Sequence, residues 1–579
     1  MNPLHRRARR RVAGTAAVLA ALAAAVLAGP AAPIPAAANA PGDAGTPAAP
    51  VTVFAENFEN GQGARPTLLT DYTGAPPVHE TYTADPAWLR YCNGYVTSRA
   101  APGTEPAGSN CGAAAWSTVK NLAATLGTWS GADPATNHAV TAYTQSDPGA
   151  GKVQLETAEP IPLTAADRFL TFSVDVAATS CWATHPLLSF YLLDGQTARP
   201  TSTSPIDACA HPGAVVDGVS VGTYASNGSV LFSGSSAGIR LVNDQASGYG
   251  NDGAFDNVRL LDATPQLDLG FSPATVPVGA PATLTFTLTN TAELAAKNGW
   301  SFTTRLPPGL RLAAGATTTT CGNGTLTVGS GNTLAVGGDL AAGQPSCTVT
   351  ADVTSVAGGS YRLCAADVTD RVGVDPPGCA SVTFTAPVFD ARADAARAVT
   401  PPLVLGPIAP SAHSCTTEPG TDGHGVADSL LGGLGSLGLL TTDASGAVAS
   451  DGARTASAHA GIAGVSLLGG LVTADAVDTA ARATSALTPT GPGPVVVRGA
   501  SVLTGLRVAG VAIAADPAPN TTVSVPLVGS VVLNEQRSVA GGRGITVNAL
   551  HITLLTGVHI TLGSATAALL TGTEPCPAG

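Results

Sequence analysis

The chain is 579 residues long, too long for one hydrophobic core, and at roughly 150 residues per domain three or four domains are expected. Only 11% of residues are charged, the net charge is −12, and lysine occurs just at Lys120, Lys152 and Lys297. This neutral, Gly/Ala/Thr-rich composition argues against nucleic acid and anionic membrane as partners. The regular alternation of β-branched with polar residues predicts folded β-structure instead of disorder.

The N-terminus reads as an export signal. Arg6, Arg7, Arg9, Arg10 and Arg11 precede an apolar run from Val12 to Leu27, and Ala-x-Ala sites follow, ending in Ala38-Asn39-Ala40. Residues 1–40 are therefore assigned to a signal peptide cleaved near Ala40. A membrane anchor fits less well, because the run is dominated by alanine, ends in Gly29-Pro30 and is shorter than the ~20 residues a span prefers. The expected location is secreted or cell-surface, and residues 41–50, rich in Pro, Ala and Gly, form a flexible lead-in.

The first domain is placed at 51–262. It opens with VTVFAENFENG, Val51 to Gly61, and two short helices are expected to interrupt its strands. One starts at Asp85, an N-cap followed by Pro86, and stops at Gly94. The other carries Trp116, Val119, Leu122, Ala123 and Leu126 at helical spacing and ends at Gly127. Strand patterns follow at 168–177, 186–193, 215–226, 229–233 and 238–243, with a closing strand over 254–261. The Glu-rich first strand and the Phe255-Asp256-Asn257-Val258 strand resemble the first and last strands of jelly-roll sandwiches found in carbohydrate-binding modules. Only Asp262 to Pro265 separates this region from the next strand, Gln266 to Ser272, which predicts a short, stiff joint.

From 265 to 387 the pattern is that of a β-sandwich. Leu284, Phe286 and Leu288 alternate with Thr283, Thr285, Thr287 and Thr289, and Cys347, Val349, Ala351 and Val353 repeat the period. FSPATVPVGAPATLTFTLTNT, LPPGLRL and TTTTCGNGTLTV resemble, in this order, the immunoglobulin-like repeats of unknown function in bacterial surface proteins. The resemblance implies a spacer or adhesion role.

Residues 388–405, with the Ala/Arg/Asp-rich run DARADAARA, are expected as a linker. The final region, 406–579, holds Gly-punctuated apolar strands at 465–476, 495–514, 522–534 and 545–568. SLLGGLVTADAV, APNTTVSVPLVGSVVLNEQ and ITVNALHITLLTGVHITLGSATA resemble the domain called choice-of-anchor P, seen in exported proteins that end in different wall or membrane attachments. Only Pro577, Ala578 and Gly579 follow Cys576, with no sorting motif, hydrophobic span or basic tail, so covalent wall attachment is not expected.

Ten cysteines in an exported chain predict disulfides. Neighbours in sequence pair as Cys92/Cys111, Cys181/Cys209, Cys321/Cys347 and Cys364/Cys379, with Cys415/Cys576 at longer range, although spacing alone does not prove the connectivity. Each contributes about 2–4 kcal/mol by restricting the unfolded chain. Zinc is disfavoured, since no Cys-x-x-Cys occurs and few cysteines lie near a histidine.

Candidate sites concentrate in 51–262. Glu56, Glu59, Asp252 and Asp256, with Asn57, come together if the first and last strands pair, and a structural calcium would want such carboxylate oxygens; the alternative is solvated strand ends. No other cofactor is expected. For stacking against a sugar ring the aromatic candidates are Trp88, Tyr91, Tyr95, Trp116, Trp129, Trp182, Tyr224 and Tyr249, of which Trp129 and Tyr249, both beside glycines, are the preferred exposed ones. Catalytic residues are not assigned: there is no Gly-x-Ser-x-Gly, His-Glu-x-x-His or phosphate loop, and His551 and His559 read as solvent-facing strand residues.

The sequence therefore predicts an all-β chain of three consecutive sandwich-like modules forming an exported rod. Its expected role is that of a structural or adhesion protein without catalysis. The alternatives are a carbohydrate-binding protein with 51–262 as a lectin-like head, and an extracellular hydrolase with carboxylates paired only in space. Expected partners are cell-wall or environmental glycans or surface proteins, with no nucleic acid and no transmembrane anchor in the mature chain.

Overall fold

The computed structural model describes residues 42–313 and 317–571. The export signal and Cys576 lie outside them. The described chain is all-β, with a single long helix, Ala113–Ser130, among its described elements.

The strand Val51–Glu56 pairs antiparallel with Asp252–Asp262, Val51 opposite Asp262 and Glu56 opposite Val258. Asp252–Asp262 also lies between Arg168–Thr179 and Ala139–Tyr143, so the two ends of the region meet in the middle of a nine-stranded sheet. A six-stranded sheet built on Lys152–Thr157, Leu188–Asp194 and Ser236–Asn243 supplies the other half of the core. Phe172, Val174 and Val176 point inward at period two and share that core with Phe190, Leu192, Ile239 and Leu241. The rings of Phe172 and Phe190 lie 4.1 Å apart.

The opposite face of the nine-stranded sheet is covered by the helix. Leu122, Ala123 and Leu126 pack there against Ala177, Val219, Val221 and Ala254. The helix follows the predicted stripe but extends three residues beyond Gly127. A disulfide, Cys92–Cys111, holds its start. No helix forms at Asp85: its Oδ1 accepts the Ala87 N–H and its carbonyl accepts those of Trp88 and Leu89, closing isolated turns. So short a stretch before Gly94 does not repay helix nucleation.

The second sandwich pairs Gln266–Ser272 with Ala282–Thr289, which in turn pairs with Ser346–Thr354. Leu284, Phe286 and Leu288 are buried as their alternation requires, against Trp300 and Phe302 from Lys297–Arg305. Cys321–Cys347 and Cys364–Cys379 staple this region.

The stretch 388–405 is not a linker. Val388–Thr400 is a 13-residue strand whose Ala391, Ala393, Ala395, Ala396 and Ala398 are buried. It pairs along its length with His559–Leu570, inside a seven-stranded sheet facing a nine-stranded one. Alanine alternating with Asp and Arg carries little hydropathy contrast, yet alanines from both sheets fill the shared core. The expected strand at 465–476 contains a hairpin turn instead: Arg454–Leu467 and Val472–Thr488 pair across Leu468–Gly470. Cys415 is disulfide-bonded, and its expected partner Cys576 lies outside the described residues.

The joint at 262–265 is closed by Arg168. Its guanidinium lies 2.7 Å from Asp262 and 2.5 Å from Asp375 of the second sandwich. Phe169 N–H donates to Thr264 Oγ1, Asp375 N–H to the Pro265 carbonyl, and Thr291 Oγ1 to the Ala263 carbonyl. Removing one partner of a buried ion pair leaves the other charge uncompensated, a loss of about 3–5 kcal/mol. Arg168→Met is expected to lower the urea midpoint by a corresponding amount; an unchanged midpoint would show that the joint does not depend on this pair.

Candidate functional site

The four carboxylates proposed for calcium occupy separate hydrogen-bonded niches. Glu56 accepts from Tyr72 and Tyr82 hydroxyls, each at 2.9 Å, and from Phe58 N–H at 2.7 Å. Burial, then the Glu56 charge, pushes both phenol pKa values well above the ordinary range, so the phenols remain donors. Glu59 reaches His138, 2.6 Å from its N–H and 2.7 Å from Nδ1. Asp252 accepts from Thr144 N–H, and Asp256 from the Asn137 amide and Asn257 N–H. These oxygens do not converge. Among the described residues the only group offering three ligand atoms within 4.8 Å is His185, Asp207 and Cys209, and Cys209 is committed to a disulfide with Cys181. Calcium needs six to eight convergent oxygens, so the four expected ligands do not fit a shared ion.

The preferred aromatic residues separate in the fold. Trp129 is half-buried: its indole N–H donates to Thr223 Oγ1 at 2.9 Å, and a Cβ at Gly213 would come within 2.7 Å of the ring. It covers the sheet. Tyr249 is 68% exposed and meets Trp182, 78% exposed, edge to face with ring centroids 5.6 Å apart. Trp88 and Trp116 are fully buried.

Both rings of the exposed pair are carried by restrained backbone. Trp182 follows Cys181, tied to Cys209, directly after the strand Arg168–Thr179. Tyr249 sits in the loop before Asp252–Asp262, and its carbonyl accepts from Thr184 Oγ1. Its N–H donates to Ser247 Oγ, Gly248 N–H to Asp147 Oδ1, and Asn243 Nδ2 to Asn251 Oδ1. Gly250, at φ +85°, lets the chain turn against Thr184 without a side chain. Next along the chain, His185 Nε2 lies 2.9 Å from Asp207 Oδ2, with Nδ1 against the Ala183 carbonyl. Burial raises the Asp207 pKa, but the Ala210 N–H and His185 outweigh it, and the net direction is down. The result is an exposed aromatic surface on restrained backbone, with the Thr184 hydroxyl bonded to it and the His185–Asp207 pair next in the chain.

Residues 265–385 match a family model described as a domain of unknown function, DUF7933. The matched segment opens at the joint, one residue before the strand Gln266–Ser272. No curated protein matches the chain. Among solved structures, it is similar to the Yersinia pseudotuberculosis adhesin InvE at 12% identity and a TM-score of 0.16, over 47% of this chain and 69% of that one. A score of that size carries no argument about fold or function.

The sequence singled out Tyr249 but preferred Trp129 to Trp182. Flanking glycines suggested openness at Trp129, whereas the neighbouring Cys181 was the informative feature: a tryptophan beside a disulfide in a Ser/Thr loop has no apolar stripe to join.

Buried carboxyls on the strand Asp252–Asp262 make stability depend on pH. Burial raises Asp256 from its ordinary 3.8 to about 7, with Glu59 and Asp175 adding to the shift against hydrogen bonds from Asn137 and Asn257. Asp252 rises to about 6 for the same first reason. Between the two values the folded state holds a proton that the unfolded chain has released, so stability falls as pH rises from about 4 to about 7. His138 acts with the same sign. Burial opposes its charge, but Glu59 and the Gly63 carbonyl outweigh that, and the stabilisation is lost as pH rises through its raised folded value. The expected melting temperature is higher at pH 5 than at pH 7.5, and Asp256→Asn should narrow the gap; identical profiles for the two proteins would remove Asp256 as its source.

Proposed function

We propose that the chain is an exported, non-enzymatic surface protein that uses the Trp182–Tyr249 pair to adhere to an extracellular ligand, with the two following sandwiches as spacer. The pair itself carries this reading. Two large rings, 78% and 68% exposed, remain in water although the rest of the tryptophans are packed or half-packed. Restrained aromatic surface of this kind suits recognition, because little entropy is lost when a partner covers it. Four disulfides among the described residues support a location in an oxidising compartment. The jelly-roll and choice-of-anchor P resemblances belong to this proposal.

A glycan is the ligand class the flanking groups favour. Trp182 and Tyr249 offer faces for the C–H surface of a sugar ring, while the Thr184 oxygen, bonded to the Tyr249 carbonyl, and the Asp207 carboxylate, held by His185, are acceptors for sugar hydroxyls. The test is a glycan array probed with the full chain, followed by binding of any hit to the Trp182→Ala/Tyr249→Ala variant. The variant is expected to bind about tenfold or more weakly at an unchanged melting temperature. Silence of the wild-type chain across wall and plant polysaccharides would defeat the glycan assignment; equal binding by the variant would defeat the site.

A further inference from the structure

The last sandwich ends in a crown of aliphatic turns. In one sheet Thr400 pairs with Leu403, Val525 with Gly529 and Thr553 with His559, which sets three turns side by side. In the other, Leu430 pairs with Ser436, Leu467 with Val472 and Val508 with Val511. The two sets share one end, because Leu405, Ile552 and Leu554 lie in the same core as Leu431, Leu467 and Val508. At the opposite end Leu487 and Gly491 meet Gly279 and Pro277 of the preceding sandwich.

Turn tips ordinarily carry Gly, Asn, Asp, Ser or Pro. Here Leu527 and Leu555, within turns, are 96% and 75% exposed, and Leu430 and Val511, at the strand ends that border two other turns, are 78% and 64% exposed. The stretches 401–407, 429–441, 463–474, 508–515, 522–534 and 552–558 contain no Asp, Glu, Lys or Arg. Asp428, Asp475, Arg507, Asp516 and Glu535 flank these stretches in the chain, and hydroxyls such as Ser436, Ser466 and Thr473 lie within them.

We infer that this end docks on an uncharged lipid surface, with the leucine and valine tips entering the acyl layer and the bordering polar groups at headgroup level. Three features favour lipid over a protein face. The tips stand on separate turns, and a cleft of about 680 Å³ opens between the turns at 428–438 and 464–475. A fluid acyl layer fills such gaps, whereas a folded partner must match them. The charge match is to a neutral layer: no basic residue lies in the six stretches, and the chain carries −12. Finally, a Leu with 96% of its surface free has its side chain directed away from its own fold. The inference is independent of the aromatic pair.

Flotation of the full chain with phosphatidylcholine vesicles tests it. The wild type should float at low and at high salt, and Leu527→Asp/Leu555→Asp should lower the bound-to-free ratio by about tenfold or more, with its melting temperature unchanged. Leu527→Ser/Leu555→Ser gives a milder loss if the acidic variant does not fold. Trp182→Ala/Tyr249→Ala should float like the wild type, which separates this result from the adhesion reading. The inference is overturned if the wild type stays in the dense fraction, if it floats only with phosphatidylglycerol vesicles, or if light scattering shows a dimer that the leucine variants dissociate.

Discussion

Arg168, with 11% of its side chain exposed, holds Asp262 and Asp375 at 2.7 and 2.5 Å and thereby locks two sandwiches at one point. The geometry at that point propagates. Arg168 is the first residue of the strand Arg168–Thr179, and Asp262 is the last of Asp252–Asp262; the two strands are antiparallel neighbours. Their far ends carry Trp182 and Tyr249. A strand of this length spans about 35–40 Å, so the aromatic surface stands at the tip of two hydrogen-bonded struts whose bases are clamped by one guanidinium. The charge is not needed for burial alone, since an apolar residue would fill the space; two carboxylates on opposite sides of a four-residue joint require it.

The interior of the same struts is unusually polar. Asp175, Asp252 and Asp256 are all buried on them, and the register slips between Asp256 and Arg259, where Asn257 adopts φ +50°. The slip lets Asn257 reach Asp175 Oδ2 while Asp256 turns to Asn137. A bulge of this kind re-aims side chains without ending a sheet. Burial raises the values at Asp252 and Asp256 against the hydrogen bonds they accept, and because each carboxyl is bonded by amides and hydroxyls in its own niche the group does not form a cation cage.

What could be read from the sequence follows from contrast between neighbours. Thr283 to Thr289 alternates so strongly with Leu284, Phe286 and Leu288 that strand, face and core were all legible, and the four pairs of sequence-neighbouring cysteines are bonded as their proximity suggests. The closing strand of the first sandwich was recognisable because Phe255, Val258 and Leu260 mark its buried face. Contrast is lacking at 388–400, where alanine supplies the buried positions, and the pattern there is indistinguishable from that of a linker. The fate of each carboxylate was illegible for another reason: it depends on partners far along the chain, Asn137 for Asp256 and Tyr72 and Tyr82 for Glu56. Trp129 shows the same limit, since the residue that admits its ring, Gly213, is 84 positions away (213 minus 129).

The last sandwich separates two uses of apolar residues. Near the preceding domain its core is lined by alanines such as Ala391, Ala458, Ala481 and Ala565, which fill the space between sheets with minimal volume. Toward the far end the core changes to Leu, Ile and Val, with Leu467, Leu503, Leu550 and Ile560 fully buried. That core is already closed before the chain reaches its turns. Leu430, Leu527 and Leu555 therefore shield nothing beneath them, and replacing them by polar turn residues would leave the packed layer intact. Their exposure costs hydration free energy without a return inside the fold. The physical return must come from outside it, at a surface that accepts aliphatic side chains and offers no charge.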